Sequence, residues 1–290
     1  MNTKTVKAMT TGVSSAERRL GKILVELGKL RLEDTEKVLQ LQKSEGLMFG
    51  EAAIKLGLVD AADLAIALAR QFGHLQVGTA TGFNDELTAL FGGQSREAES
   101  LRAVRTQLNL RWFDRGHHAL AIISPSAHEG RSYIAAHLAL LFAQLGQNTL
   151  LIDADLHNAH QHEIFYLSNR VGLSSVLADI ADPSDAIHKV ESTPYLSIMT
   201  SGPIPPNPAE LISRVGLTTL LDSLATKYKV IIIDTPAALA HAEVHNIAIS
   251  TKGALLVTRL NHTRLRSAKR VCAAMTDVGV EVVGSILNEA

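Results

Sequence analysis

The chain has one cysteine, Cys272, among 290 residues. That excludes an internal disulfide framework and fits a reducing compartment. Charge is as scarce on balance: 28 Lys and Arg against 29 Asp and Glu leave a formal net charge of -1. The bulk composition therefore carries no sign of nucleic-acid binding. The polar first fifteen residues lack the apolar segment of a signal peptide. No apolar run approaches the length of a membrane span. These absences predict a soluble, cytoplasmic chain with no span of its own, reaching a membrane only through a partner. The length allows two domains, one with a substantial core.

Within 15–75 the sequence repeats. Arg19-Leu20-Gly21 opens a first copy that closes at Gln42, and Met48-Phe49-Gly50 opens a second that closes at Gln71. Each copy is 24 residues long, with five residues between them. Gly21 matches Gly50, and Gly28 matches Gly57. These glycines are expected to close a short helix and start a turn. Asp60 is expected to cap the next helix, with Asp63 in its first turn. Each unit is a helix pair too small to bury its face alone, so the two should pack together. Residues 1–14 read as a polar tail. Residues 76–95, glycine-rich and weakly periodic, read as a linker.

From residue 96 the pattern changes. Apolar runs at 118–124, 149–154, 196–200, 230–234, 254–258 and 281–287 alternate with helical stretches. Val, Ile and Leu fill them without alternation, as in parallel strands buried on both faces. The fold class expected is α/β, a P-loop NTPase-like, mostly parallel sheet flanked by helices and preceded by the small helical repeat domain. Such sheets bind ligands at the carboxyl ends of their strands, and the unusual residues fall there. The first strand runs into Ser124-Pro125-Ser126-Ala127-His128-Glu129-Gly130-Arg131-Ser132-Tyr133 and then a helix. Backbone N–H groups and a helix N-terminus make that turn a phosphate cradle. The second strand ends in Asp153-Ala154-Asp155, and 230–234 ends in Asp234-Thr235-Pro236. Three carboxylates beside a phosphate loop point to a Mg-nucleotide site.

These three segments resemble the Walker motifs of bacterial tyrosine kinases, the P-loop autokinases that regulate exopolysaccharide synthesis. Ser201-Gly202-Pro203-Ile204-Pro205-Pro206-Asn207-Pro208-Ala209-Glu210-Leu211 is similar to a Pro-Pro-Asn-Pro segment of those kinases. Glu99, Arg102 and Arg105 resemble the helix-borne motif through which they form rings; by spacing alone the three are an exposed charge row. The resemblance spans 96–290. The N-terminal copies resemble the paired motifs of MshEN-type domains of secretion and pilus ATPases, which bind cyclic di-GMP. The fused repeat domain and the Gly-Arg-Ser-Tyr variant are similar to EpsG-type members of exopolysaccharide operons.

The resemblance implies ATP and Mg²⁺ as cofactors. It places 126–133 (Ser126, Ala127, His128, Glu129, Gly130, Arg131, Ser132, Tyr133) around the phosphates, with Asn288 near adenine. It gives Ser132, Asp155 and Asp234 to the metal and Asp153 to the proton of an incoming tyrosine, with Arg131 as the loop's charge. In the repeats it gives cyclic di-GMP to Arg19, Leu20, Gly21, Gly28 and Gln42, and to Gly50, Gly57 and Gln71. It also implies a homo-oligomer recruited to the inner membrane by a transmembrane polysaccharide co-polymerase, the chain-length determinant.

The departures matter. Arg131 stands where the loop lysine is usual, and an arginine fork is bulkier than an ammonium. His128 replaces a glycine and His157 an arginine. Ala237 replaces the second proline after Asp234. Met48 replaces the repeat's arginine, Phe49 its leucine, and Thr35 an apolar residue. Only Tyr133, Tyr166, Tyr195 and Tyr228 are present, so a tyrosine-rich tail has no counterpart after Tyr228. Substrate tyrosines are expected elsewhere in the chain or on another protein. Two readings follow: an active kinase or ATPase, and a catalytically weak module gated by nucleotide and cyclic di-GMP. A third, a partitioning ATPase, lacks the second loop lysine that such proteins carry near Ser124.

Overall fold

The computed structural model describes residues 15–60, 63, 64, 67, 87, 96–212 and 214–289. The chain divides into two compact units, Met1–Gly78 and Thr79–Ala290. Of the linker expected at 76–95, only Leu87 lies among the described residues.

The first unit begins with helices α1 (Ser15–Glu26), α2 (Leu32–Glu45) and α3 (Phe49–Lys55). The repeat is visible in its hydrogen bonds. Gly28 N–H donates to Val25 O at 2.9 Å and Lys29 N–H to Leu24 O at 3.0 Å. One repeat later, Gly57 N–H donates to Ile54 O at 2.8 Å and Leu58 N–H to Ala53 O at 3.1 Å. Both are helix ends closed by a glycine at φ +68° and +67°, the left-handed region that a Cβ disfavours. Gly21 and Gly50 depart from expectation: they lie inside α1 and α3 rather than closing them. Their role is close approach. A Cβ on Gly21 would stand 3.0 Å from the Phe49 ring, and one on Gly50 2.7 Å from Leu64. Asp60 caps as expected, its Oδ1 accepting from Asp63 N–H at 2.6 Å. Leu24, Val38, Phe49, Ala52 and Ala53 form the core of this unit. The Arg19 side chain and Gln71 lie outside the described residues.

Among the described residues, the second unit contains α4 (Arg96–Arg111) and one sheet of β1 (Ala119–Ile123), β2 (Thr149–Asp153), β3 (Ile187–Lys189), β4 (Leu196–Met199), β5 (Val230–Asp234), β6 (Gly253–Arg259) and β7 (Glu281–Asn288). Their order is β3-β4-β2-β5-β1-β6-β7. All pairings are parallel except β3 with β4. Six strands fall where the apolar runs predict them. β3 escapes prediction because Ile-His-Lys is too short to carry a period. β7 differs in burial: it is an edge strand with exposed positions along its length. β1, β2 and β5 are wholly buried.

Helix α5 (Arg131–Gln144) starts at the end of the loop after β1 and packs on β1, β2 and β5. It is buried from Ile134 to Gln144, which explains its apolar sequence on every face. Within it, His137 Nδ1–H donates to Tyr133 O at 2.8 Å. Burial lowers the His137 pKa to about 4, so the native state holds this imidazole neutral.

The folded pKa of His137 lies below its ordinary value of 6.5. The unfolded chain therefore binds the extra proton first, and stability falls as pH drops from 6.5 towards 4. Urea denaturation followed by Trp112, the sole tryptophan, checks this. The wild type should lose about 3 kcal/mol more than His137→Leu across that window.

Candidate functional site

The register of the sheet brings the carboxylates together. β2 pairs with β5 so that Asp153 lies beside Asp234, and Asp234 also pairs with Ile122 at the end of β1. The phosphate-type loop leaves β1 at this same point, and Asp155 follows two residues after Asp153. All three aspartates are buried: Asp153 and Asp234 fully, Asp155 to 4% exposure.

Each carboxylate is compensated by a different device. Asp153 is held by backbone: its Oδ2 accepts from His160 N–H at 3.0 Å and Gln161 N–H at 2.9 Å. Its Oδ1 accepts from Asp155 N–H at 3.2 Å. Burial nevertheless pushes the Asp153 pKa well above the usual carboxylate range, and the adjacent Asp234 charge pushes it further. Asp155 Oδ1 accepts from the N–H groups of His157 and Asn158 at 3.2 and 2.9 Å. Asp234 Oδ2 accepts from the Gln161 amide at 2.8 Å. Burial raises the Asp234 pKa also, opposed chiefly by Arg131 and then by hydrogen bonds from Gln161 and Ser132.

Arg131 is the centre of this network. Its guanidinium does not face outward from the loop. It donates from Nη1 to Ser124 Oγ at 2.7 Å, from Nη2 to Asp155 Oδ2 at 3.0 Å and from Nε to Asp234 Oδ1 at 3.3 Å. The planar fork suits this, since its donors point at separate acceptors at once. The loop around it is drawn in by its own side chains. Glu129, 1% exposed, accepts from Ser126 N–H through Oε2 at 2.9 Å and from Thr263 Oγ1 through Oε1 at 2.5 Å. His128 adopts φ +61°, the conformation that a glycine would take freely. Its side chain is exposed, and its carbonyl accepts from Arg259 at 3.1 Å. Ser126 and Ala127 are exposed on the same turn. Gly130, at φ +87°, has no room for a Cβ: one would stand 2.1 Å from Asn288 Nδ2. That amide donates to Glu129 O at 3.2 Å, so Asn288 braces the loop backbone. The Tyr133 ring lies 4.0 Å from that of His137, one turn further along α5, with the planes tilted by 43°.

The charge row on α4 is less exposed than its spacing implies. Glu99 and Arg102 pair at 3.1 Å. Arg105 is half-buried and donates to Leu141 O of α5 at 3.4 Å; desolvation, with the Arg102 charge, lowers its pKa. Two residues beside the carboxylates carry no sequence signal: Gln161, which bridges Asp234 and Ser132 O, and Glu243, which pairs with His157. Both gain their place only from chain crossings distant in sequence. Glu129, inside the motif, clamps the loop through its side-chain carboxylate.

Removing the guanidinium leaves Asp155 and Asp234 buried without a counter-charge. Arg131→Met should cost about 3–5 kcal/mol of stability in this unit, read by urea denaturation through Trp112.

No family model matches the chain. It is 36% identical over 195 residues to the tyrosine-protein kinase YwqD of Bacillus subtilis, covering 67% of this chain and 82% of that protein. It is 32% identical to the putative tyrosine-protein kinase CapB of Staphylococcus aureus, covering 68% of this chain and 86% of that protein. It is 33% identical to the tyrosine-protein kinase etk of Escherichia coli but spans only 26% of that longer protein. Among solved structures, the kinase domain of the Escherichia coli kinase ETK aligns with a TM-score of 0.67 at 29% identity, over 70% of this chain and 80% of that one. The chimerical protein CapA2B2 aligns at 0.66 and 31% identity, over 71% and 91%. Pyrococcus horikoshii MinD with Mg-ADP aligns at 0.52 and 25% identity, over 59% and 69%. All of these likenesses reach about seven-tenths of the chain or less. With its sheet order, its loop-to-helix turn and its three carboxylates, this chain belongs to the bacterial tyrosine-protein kinases.

Proposed function

We propose that this protein is a Mg-ATP-dependent protein tyrosine kinase that regulates exopolysaccharide biosynthesis or export. The observation that carries the reading is the convergence of Asp153, Asp155 and Asp234 beside the N-terminus of α5. The donor set fits Mg²⁺, which takes one or two carboxylates and a hydroxyl and keeps its waters. Ser132, Asp155 and Asp234 would hold it, and the ion would neutralise charge on the transferred phosphoryl group. The N–H groups of 126–132 would bind the phosphates at the helix N-terminus. Asn288, bracing Glu129, would keep the loop in place near the base.

Asp153 would accept the proton of the tyrosine hydroxyl. A raised pKa suits a carboxylate to that task. Its oxygens are closed off by N–H groups of 155, 160 and 161, so substrate entry requires this loop to release a bond. Arg131 must likewise yield Asp155 and Asp234 to the metal, and it then offers its charge to the phosphates. Glu99, Arg102 and Arg105 would serve a homo-oligomer. Among the described residues no helix is long and apolar enough to cross a membrane. A transmembrane polysaccharide co-polymerase would recruit the protein to the inner membrane.

A second reading is favoured by two contacts. Arg131 occupies the metal carboxylates, and Glu129 takes the Ser126 N–H that a phosphate would use. Both make the resting site self-satisfied, as in a weak kinase that serves as an assembly module gated by nucleotide. The MshEN-like repeats would then add cyclic di-GMP as a second signal, through Arg19, Leu20, Gly21, Gly28 and Gln42 in the first copy.

Incubation with γ-labelled ATP and Mg²⁺ separates the readings. The kinase reading expects label on tyrosine, lowered about a hundredfold or more in Asp153→Ala, with nucleotide binding kept. Binding without label in the wild type would favour the assembly module. Calorimetry with cyclic di-GMP should show micromolar binding that Arg19→Ala abolishes; no heat from the wild type would remove the sensing role.

A further inference from the structure

Three metal-ligating side chains lie together beside the carboxylates, and the kinase reading uses none of them. His157, on the loop after β2, places Nε2 2.5 Å from Glu243 Oε1. His241, on the loop after β5, places Nδ1 3.8 Å from the same oxygen. The two imidazole rings stack with centroids 4.0 Å apart and planes 30° apart. One ligand atom from each residue lies within 4.8 Å of the other two. The Glu243 side chain is only 3% exposed, while those of His157 and His241 are 31% and 25% exposed. An ion from solvent thus has a way in past the rings to a buried carboxylate.

A plain ion pair explains only part of this. One imidazolium is enough to balance one buried carboxylate. A second imidazole, 3.8 Å from the same oxygen and stacked on the first, is more than that balance needs. A metal ion accounts for all three groups. Bonds of about 2.0–2.1 Å in a tetrahedron set ligand atoms about 3.3 Å apart. The two distances to Glu243, 2.5 and 3.8 Å, straddle that value; the stacked rings would turn apart to aim both nitrogens at one ion.

We infer that His157, His241 and Glu243 form a binding site for a first-row transition dication of the zinc class, with a fourth position open to water. Two imidazoles and one carboxylate are a nitrogen-rich set that such ions prefer. Mg²⁺ demands oxygen ligands in an octahedron, so this site is chemically distinct from the aspartates that the kinase reading gives to magnesium. The two are linked through the backbone: His157 N–H donates to Asp155 Oδ1 at 3.2 Å. A bound ion would pin the loop carrying Asp155 to the chain that follows β5. The inference stands on its own geometry and survives if the kinase reading fails.

The test is titration of the full chain with Co²⁺, followed by visible absorption. One equivalent should saturate the site with the strong absorption of a low-coordinate cobalt centre. An equivalent of Zn²⁺ should displace it, and excess Mg²⁺ should not. His157→Ala and His241→Ala should each weaken binding about tenfold or more, with Trp112 fluorescence reporting an intact fold. Glu243→Gln, which keeps the shape of the buried side chain, should do the same. No saturable binding to the wild type at micromolar Co²⁺ would overturn the site. So would equal affinity in the wild type and all three variants, which would assign the cobalt to other histidines.

Discussion

The second unit depends on one electrostatic problem: three carboxylates share the dry carboxyl end of a parallel sheet. A carboxylate removed from water is costly unless it is paired or hydrogen-bonded. Asp153 and Asp234 sit on paired residues of adjacent strands, so each raises the other's cost. The solution is a division of labour. Backbone N–H groups hold Asp153, an amide holds one side of Asp234, and Arg131 spans the gap between Asp155 and Asp234. A lysine could supply charge at this position but only as a single point. The arginine fork supplies charge and direction to three acceptors together.

That choice propagates into the loop. With Arg131 turned inward, its charge is spent on the protein, and the loop closes on itself through Glu129. Thr263 and Arg259 near the end of β6 and Asn288 at the end of β7 fasten the same turn. The phosphate-type loop is therefore tied to the far half of the sheet, and opening it disturbs several bonds rather than one. The left-handed backbone at His128 adds strain that a glycine would not carry. The resting arrangement is thus a specific one, and nucleotide binding must exchange its internal contacts for phosphate and metal contacts.

The first unit solves a different problem with simpler means. Its two copies close their helices at the same step, and the glycines inside the helices let Phe49 and Leu64 approach closely. The second copy's Phe49 is accommodated by Gly21 of the first. The repeats thus fit each other as a pair.

Much of the architecture could be read from residue order alone. Six strands, the loop-to-helix turn, the helix-closing glycines and the Asp60 cap each follow from local chemistry: apolar runs, left-handed backbone and a capping carboxylate. Site membership was legible for Asp153, Asp155, Asp234 and the loop because short motifs sit at strand ends. The direction of Arg131 was not. It depends on which carboxylates the strand register brings within reach, and register is a property of the sheet rather than of any segment. The same holds for Gln161 and Glu129, and for the meeting of His157, His241 and Glu243, which lie 86 positions apart at the extreme. Residue order is enough to say which groups the protein possesses and on which elements they ride. Which of them neutralise one another is settled by the folded chain, because burial sets the cost of a charge and folding alone sets its neighbours.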